Sequence, residues 1–301
     1  MTTIIGKLVL VALIWGGTFI AGRVAAPEMS ALAAALWRYV VASVVLVAML
    51  LAREGGLPRL DGPHWLRIVL LGLTGVAGYN LCFMAGLETV PASRGSLIIA
   101  LNPAATMLGA ALFLHEPLTL TKIAGMLLAL VGVAIELSGG NPLALFDGGA
   151  GAGELLLFGC VLSWAAYTLL GKKMTGISPL AITTYAALTG TAMLAVGAFV
   201  RGDLGFPQVS RNAWIALVYM GTLGTAVAFV WFLEGVKELG PARASIFVNL
   251  VPVAAIALGA LLLGEKITVP MLVGAALVVS GVWIINRPAP AALPAVAPPH
   301  V

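Results

Sequence analysis

The sequence predicts an all-α membrane protein of ten transmembrane helices in two inverted-topology five-helix repeats. Three observations carry that prediction. Hydrophobic residues make up 61% of the 301 and charged residues 9%, with a mean hydropathy of +1.08, whereas a water-facing surface needs roughly a quarter charged residues. Apolar runs recur at about 20 residues, the length that crosses a hydrocarbon core about 30 Å thick, where a β-barrel would show short alternating segments. The third observation is internal repetition. Residues 101–135, LNPAATMLGAALFLHEPLTLTKIAGMLLALVGVAI, return as 250–284, LVPVAAIALGALLLGEKITVPMLVGAALVVSGVWI.

The offset is 252 − 103 = 149, and it pairs Pro103 with Pro252, Glu116 with Glu265, Thr119 with Thr268, Gly125 with Gly274 and Gly132 with Gly281. Carried outward it pairs Trp15 with Trp164, Trp65 with Trp214, Gly72 with Gly221, Arg94 with Arg243 and Ser96 with Ser245. A repeat of this length sets the architecture before any single residue does.

Taken in order, span one covers 5–22. It reads as a membrane helix and not as a cleavable leader, because no cleavage site follows and its counterpart recurs mid-chain. Spans two to five cover 32–52, 65–87, 94–114 and 118–138, and spans six to ten cover 153–172, 178–200, 212–234, 243–263 and 267–286. The connector 139–152, GGNPLALFDGGAGA, is glycine-rich with one acid and no base, which suits an external linker. Beyond Arg287 the prolines at 288, 290, 294, 298 and 299 cannot continue a helix. The chain therefore divides into a five-helix repeat at 1–138, an external linker at 139–152, an inverted repeat at 153–286 and a disordered Pro/Ala-rich cytoplasmic tail at 287–301.

Basic residues orient the spans, since cytoplasmic loops carry an excess of Lys and Arg. With the N-terminus inside, Lys7, Arg53, Arg59, Arg67 and Lys122 of the first half lie inside, against Arg23, Arg38 and Arg94. In the second half Lys172, Lys173, Lys237, Arg243 and Arg287 lie inside, against Arg201, Arg211 and Lys266. Each half favours both termini in the cytoplasm. Five spans is an odd number, so the second copy enters the membrane from the opposite side. Such repeats, related by an axis in the membrane plane, build transporters with substrate near the midplane.

The motifs Trp15-Gly16, Arg38-Tyr39, Asn102-Pro103 and His115-Glu116, with Pro252 and Gly264-Glu265 in the copy, resemble the EamA family of the drug/metabolite transporter superfamily. Within it the sequence is similar to the YddG-type amino-acid exporters of bacteria. The resemblance covers roughly residues 5–286 and implies ten helices, both termini cytoplasmic, a bacterial inner membrane and export of small metabolites. The second half departs from the first, with Ala187 at the place of Arg38 and Val251 at that of Asn102. Any role for the arginine is therefore one-sided.

Polar and aromatic residues within the spans supply the candidate substrate site. Trp15 and Thr18 share a helical face, as do Trp164 and Tyr167, and both tryptophans fall mid-helix, away from the interface belt expected for Trp37, Trp65 and Trp214. They line a central cavity or simply pack. Arg38 is the basic side chain well inside a span; it either pairs with a substrate carboxylate or snorkels to the outer interface. Tyr79 and Asn80 stand about 100° apart on a helix, so Tyr79 is expected to face the cavity and Asn80 a neighbouring helix. Asn102 offers either substrate contact or an interhelical hydrogen bond. The expected substrate-binding set is Trp15, Arg38, Tyr79, Asn102, Trp164, Tyr167 and Tyr185. Pro103 and Pro252 each free a backbone carbonyl one turn earlier, while Glu116 and Glu265 sit at helix ends and read as turn-forming.

No Asp or Glu lies firmly mid-membrane and no nucleotide-binding loop is present, so facilitated movement down a gradient is the default, with proton coupling left open. Neither cofactor nor metal is expected. Cys82 and Cys160 fall in apolar runs and read as small buried residues. The charge of +4 is spread over loops and speaks to topology, not to nucleic acid. The expected partners are a small-molecule substrate and membrane lipid, and a monomer is compatible with the sequence. Two rivals fare worse. A lipid-modifying membrane enzyme would cluster Asp or His at one face, but His64, His115 and His300 form no cluster. A channel-like permease would show a repeated polar filter.

Overall fold

The computed structural model describes residues 2–25, 27–87, 89–90, 98–141, 143, 151–263 and 266–286. Among them every regular element is helical and no strand occurs. Helix α1 covers Thr2–Ala25 and α2 Ala31–Glu54; α3, Gly62–Gly72, runs through a π-helical segment, Leu73–Gly78, into α4, Tyr79–Leu87. Then come α5, Asn102–Leu114, and α6, Leu120–Leu137. The second half holds α7, Ala152–Lys172, and α8, Pro179–Arg201. Next, α9, Arg211–Gly221, passes through a π segment, Thr222–Val227, into α10, Ala228–Leu239. A short α11, Pro241–Ser245, and a 3-10 turn, Ile246–Asn249, lead into α12, Leu250–Leu263, and α13 is Val269–Asn286.

Eight helical stretches are long and apolar enough to cross a membrane, and two shorter apolar helices, Asn102–Leu114 and Leu120–Ile135, accompany them. The protein is thus a multi-pass membrane protein. Exposed Leu112, Phe113, Val196, Phe199, Val200 and Leu261 give the bundle an apolar outer surface, the reverse of a water-soluble rim. Within span four the described residues begin with helical Ile98 and Ile99, and a turn at Ala100 and Leu101 precedes the next helix. Helix α5 then starts at Asn102 with Pro103 in its first turn, because a proline without an N–H fits a helix start and disrupts an interior. Arg94, Ser96, Glu265, most of the linker and the tail 287–301 lie outside the described residues.

Local chemistry explains the helix ends. Ser30, Asp61, Ser178 and Ser210 accept hydrogen bonds from Ala33, His64, Ala181 and Ala213 amides at 3.0–3.2 Å, satisfying donors that a helix start leaves free. Gly55 and Gly202 end α2 and α8 with φ of 75° and 76°. Contacts between caps also identify the two ends of the bundle. Ser30 donates to Asp203 at 2.9 Å, and the Ser210 amide and hydroxyl donate to Glu28, holding its carboxyl below the ordinary carboxylate value. At the other end Ser178 donates to Glu54 and Lys172 to Lys237 O. In α8, the hydroxyls of Thr183, Thr184 and Thr191 donate one turn back at 2.7–2.8 Å, keeping polar groups paired in an apolar setting.

The 149-residue offset reappears in three dimensions. The π segments 73–78 and 222–227 occupy matched positions. Contacts also come in exchanged pairs, with Gly235 against Leu8 and Gly86 against Leu157. Likewise Gly224 meets Thr18 and Gly75 meets Tyr167, while Gly221 meets Val41 and Gly72 meets Gly190. Helices α6 and α13 approach through Gly132 and Gly281, where a Cβ at Gly132 would come within 2.6 Å of Gly274 O. Small residues allow such backbone contact between apolar helices.

Candidate functional site

A cavity of about 370 Å³ lies between the halves. From the first half α1 supplies Trp15, Thr18, Phe19 and Gly22, and α2 supplies Arg38 and Tyr39. The third span adds Gly75, Tyr79, Asn80 and Phe83, and the fourth adds Ile99, ahead of α5, and Asn102 at its start. Trp164, Met220, Phe229, Val248 and Val251 complete the wall from the second half. Four pairs in this wall are repeat counterparts: Trp15 and Trp164, Asn80 and Phe229, Ile99 and Val248, Asn102 and Val251. The cavity therefore sits where equivalent positions of the two halves meet.

It opens toward the end that carries the α1–α2 turn. Thr18, Phe19 and Gly22 follow Trp15 toward that turn, and Arg38 and Tyr39 lie in the first half of α2. Its floor is aromatic. Trp15 and Trp164 meet edge to face at 5.4 Å, and Phe229 and Phe232 pack against both at 5.3–5.7 Å. Such pairs add stabilisation beyond the area they bury. Below the floor, Lys7 Nζ meets Glu234 Oε2 at 2.5 Å and stands 5.9 Å over the Trp231 ring.

The two tryptophans are not chemically equal. Trp15 Nε1 donates to Gly224 O at 2.8 Å, an acceptor in the second π segment, and a π segment releases such a carbonyl from the regular ladder. Trp164 Nε1 and Asn102 Oδ1 are buried in the cavity wall with no partner. Arg38 Nε donates to Thr225 Oγ1 at 2.8 Å, Thr225 donates on to Met220 O at 3.0 Å, and the guanidinium carbon stands 5.5 Å above the Tyr39 ring. The described residues set no carboxylate against Arg38, which leaves its outer edge facing the cavity.

Of the seven residues expected at a site, Trp15, Arg38, Tyr79, Asn102 and Trp164 share this cavity. Tyr167 and Tyr185 do not line it. Tyr167 is fully buried beneath the floor, in the notch that Gly75 leaves, 5.5 Å from Trp164 and 5.8 Å from Phe229. Tyr185 lies toward the opposite end, where its hydroxyl donates to Pro58 O at 2.7 Å and its ring meets Trp65 at 5.4 Å. Trp65 is thus a partner of Tyr185 as well as a candidate belt residue. Asn80, expected to bond a neighbouring helix, does meet the Tyr39 hydroxyl of α2, but its Nδ2 also donates to Val76 O at 2.7 Å and it lines the cavity beside Tyr79. The cavity is wide enough to meet two adjacent residues of α4. Reasoning from sequence missed Tyr39 and Phe83 as well. The signal for Asn80 was available, because its counterpart is Phe229. Among the described residues no three His, Cys, Asp or Glu side chains gather where they could hold a metal ion.

Comparison with known proteins agrees with this architecture. The profile of the EamA-like transporter family matches residues 2–137 and 151–287. A probable terminal-alkyne amino-acid exporter of Streptantibioticus cattleyicolor is 33% identical over 283 residues, covering 93% of this chain and 92% of that one. The uncharacterized transporter YyaM of Bacillus subtilis is 28% identical over 269 residues, covering 89% and 88%. The uncharacterized inner membrane transporter YedA of Escherichia coli K12 is 26% identical over 264 residues, covering 87% and 84%. One solved crystal structure superposes with a TM-score of 0.80 at 19% identity, over 95% of this chain and 97% of that chain, which bears on the fold alone.

Proposed function

The chain belongs to the EamA-like transporter family, and we propose that it is an inner-membrane secondary transporter that exports small amphipathic metabolites, neutral and aromatic amino acids among them. It does so by alternating access between two inverted five-helix repeats, 1–138 and 153–286, that together cross the membrane ten times. The carrying observation is the cavity at the meeting of repeat counterparts, aromatic on its faces and polar at a few points. Aromatic rings supply affinity for an apolar body, and a small number of polar groups orient it. Arg38 suits a carboxylate, and the unpartnered Asn102 Oδ1 suits an ammonium or another donor. The name of the Streptantibioticus relative supports amino acids as the class.

The exchanged contact pairs support a two-fold relation between the halves, and five spans per half support an axis in the membrane plane. In this reading α5 and α6 complete the ten crossings. The 13 residues of α5 span only about 20 Å at the helical rise, so the residues ahead of Asn102 finish that crossing. With both termini cytoplasmic, the cavity opens to the outside. The topology is checked by single cysteines at Gly56 and Asn141, in a background with Cys82 and Cys160 replaced by alanine. They are expected to react with an impermeant thiol reagent from opposite sides, and labelling from one side would sink the inverted repeat.

Function is checked by counterflow in proteoliposomes loaded with L-phenylalanine. Saturable exchange of the radiolabelled solute is expected, little changed by a pH gradient. Absence of counterflow across a panel of neutral and aromatic amino acids would remove that class from the proposal.

A further inference from the structure

We infer that the Tyr167 hydroxyl is a substrate contact of the opposite-facing state, reached when the cavity opens at the end bearing residues 55–61 and 173–178. The inference rests on the inverted-repeat reading above. If the halves exchange conformations, each residue takes the surroundings its counterpart has now.

Seams that already occur in exchanged pairs look the same before and after such an exchange. Leu8 against Gly235 and Leu157 against Gly86 are one such pair, so neither the α1–α10 nor the α4–α7 seam is the gate. The α7–α10 seam is different. There α10 packs on α7, with Phe229 and Phe232 at 5.6 and 5.3 Å from Trp164, while α4, the counterpart of α10, makes no comparable contact with α1. The cavity occupies that gap, and Phe83, counterpart of Phe232, lines it. On exchange α4 closes over α1 and the α7–α10 seam parts. The present wall residues Trp15, Thr18 and Phe19 then hand their places to Trp164, Tyr167 and Thr168.

A second observation singles out Tyr167 on its own. The residue is 1% exposed and its hydroxyl has no hydrogen-bond partner. Its nearest polar neighbour, the Thr183 hydroxyl, spends its own proton on Pro179 O at 2.8 Å. A buried hydroxyl without a partner is costly, and phenylalanine would fill the Gly75 notch without that cost. The hydroxyl is accounted for by a state in which it meets water or solute. In that state the place of Arg38 on the wall passes to Ala187, now buried in the α2–α8 seam. A carboxylate entering from that end therefore meets neutral donors, with Tyr167 foremost, instead of a cation.

The test uses L-phenylalanine transport in membrane vesicles of both orientations. Tyr167→Phe is expected to raise KM measured from the end bearing residues 55–61 by about 3- to 10-fold, the loss of one hydrogen bond. KM from the other end should be unchanged and Tm equal or higher. A change equal at both ends, or none at either, overturns the inference. Cysteines at Tyr167 and Thr168 provide a readout that needs no transport. Labelling by an impermeant thiol reagent from that end, slowed by excess solute, supports the assignment, and absence of labelling at both overturns it. Should wild-type vesicles fail to move L-phenylalanine, the export reading fails for that solute, and the labelling still decides the present point.

Discussion

Arg38→Ala is expected to lower kcat/KM for carboxylate-bearing solutes by about 10- to 100-fold, the worth of a hydrogen-bonded charge pair, and Arg38→Lys nearly as much. The reason is the way the guanidinium is held. Its Nε edge is pinned to Thr225 Oγ1 at 2.8 Å, and Thr225 is itself fixed through Met220 O. One edge of the planar group is thus spent on the π segment, and the other is presented to the cavity. A carboxylate takes two parallel hydrogen bonds from such an edge, a geometry that an ammonium on a flexible stem does not reproduce. The comparison that decides is solute chemistry. L-phenylalaninamide, which has no carboxylate, should be spared by both substitutions. Full transport by Arg38→Lys would return the residue to a snorkelling role, as would equal losses for acid and amide.

The fold was legible because the repeat is nearly free of gaps. One offset located the counterparts Trp15 and Trp164, Gly75 and Gly224, Gly132 and Gly281, and the structure places these as exchanged neighbours. Apolar run length did not show the break in span four, where a turn at Ala100 and Leu101 separates helical Ile98 and Ile99 from the helix that starts at Asn102. The candidate site was legible in part, and its failures have separate causes. Helical-face arguments assume a regular 100° step, but spans three and eight each contain a π segment that shifts the register of everything beyond it. Tyr79 and Asn80 both lie beyond the first π segment, so their separation is the regular one, and Asn80 reaches the cavity because the cavity is wide enough to meet both. Tyr185 was placed in the cavity because aromatic residues in spans were read alike, although its counterpart Leu36 is buried in the α2–α8 core. The difference between the two tryptophans was not legible at all. They are the same residue at matched positions, and only the three-dimensional course of the second π segment gives Trp15 a carbonyl that Trp164 lacks.

That difference yields the second large expected effect. Trp164→Phe removes an indole N–H that has no protein partner and keeps a ring on the cavity floor. It is expected to raise KM by about 3- to 10-fold, as for one lost hydrogen bond to solute, with Tm near the parent value. Trp15→Phe removes an N–H that is bonded to Gly224 O at 2.8 Å. It leaves that carbonyl unpaired in an apolar setting, so it should lower Tm and change KM less. Trp164→Ala is the blunter variant. Trp15, Tyr79, Tyr167, Phe229 and Phe232 all pack on the Trp164 ring, and emptying such a site costs about 3–5 kcal/mol in a well-packed core. Transport and Tm should therefore fall together, which is why the phenylalanine pair carries the argument. Transport assayed beside thermal melting in detergent checks it. If Trp15→Phe and Trp164→Phe shift KM and Tm alike, the Trp164 indole is packing and the solute is held elsewhere on the wall.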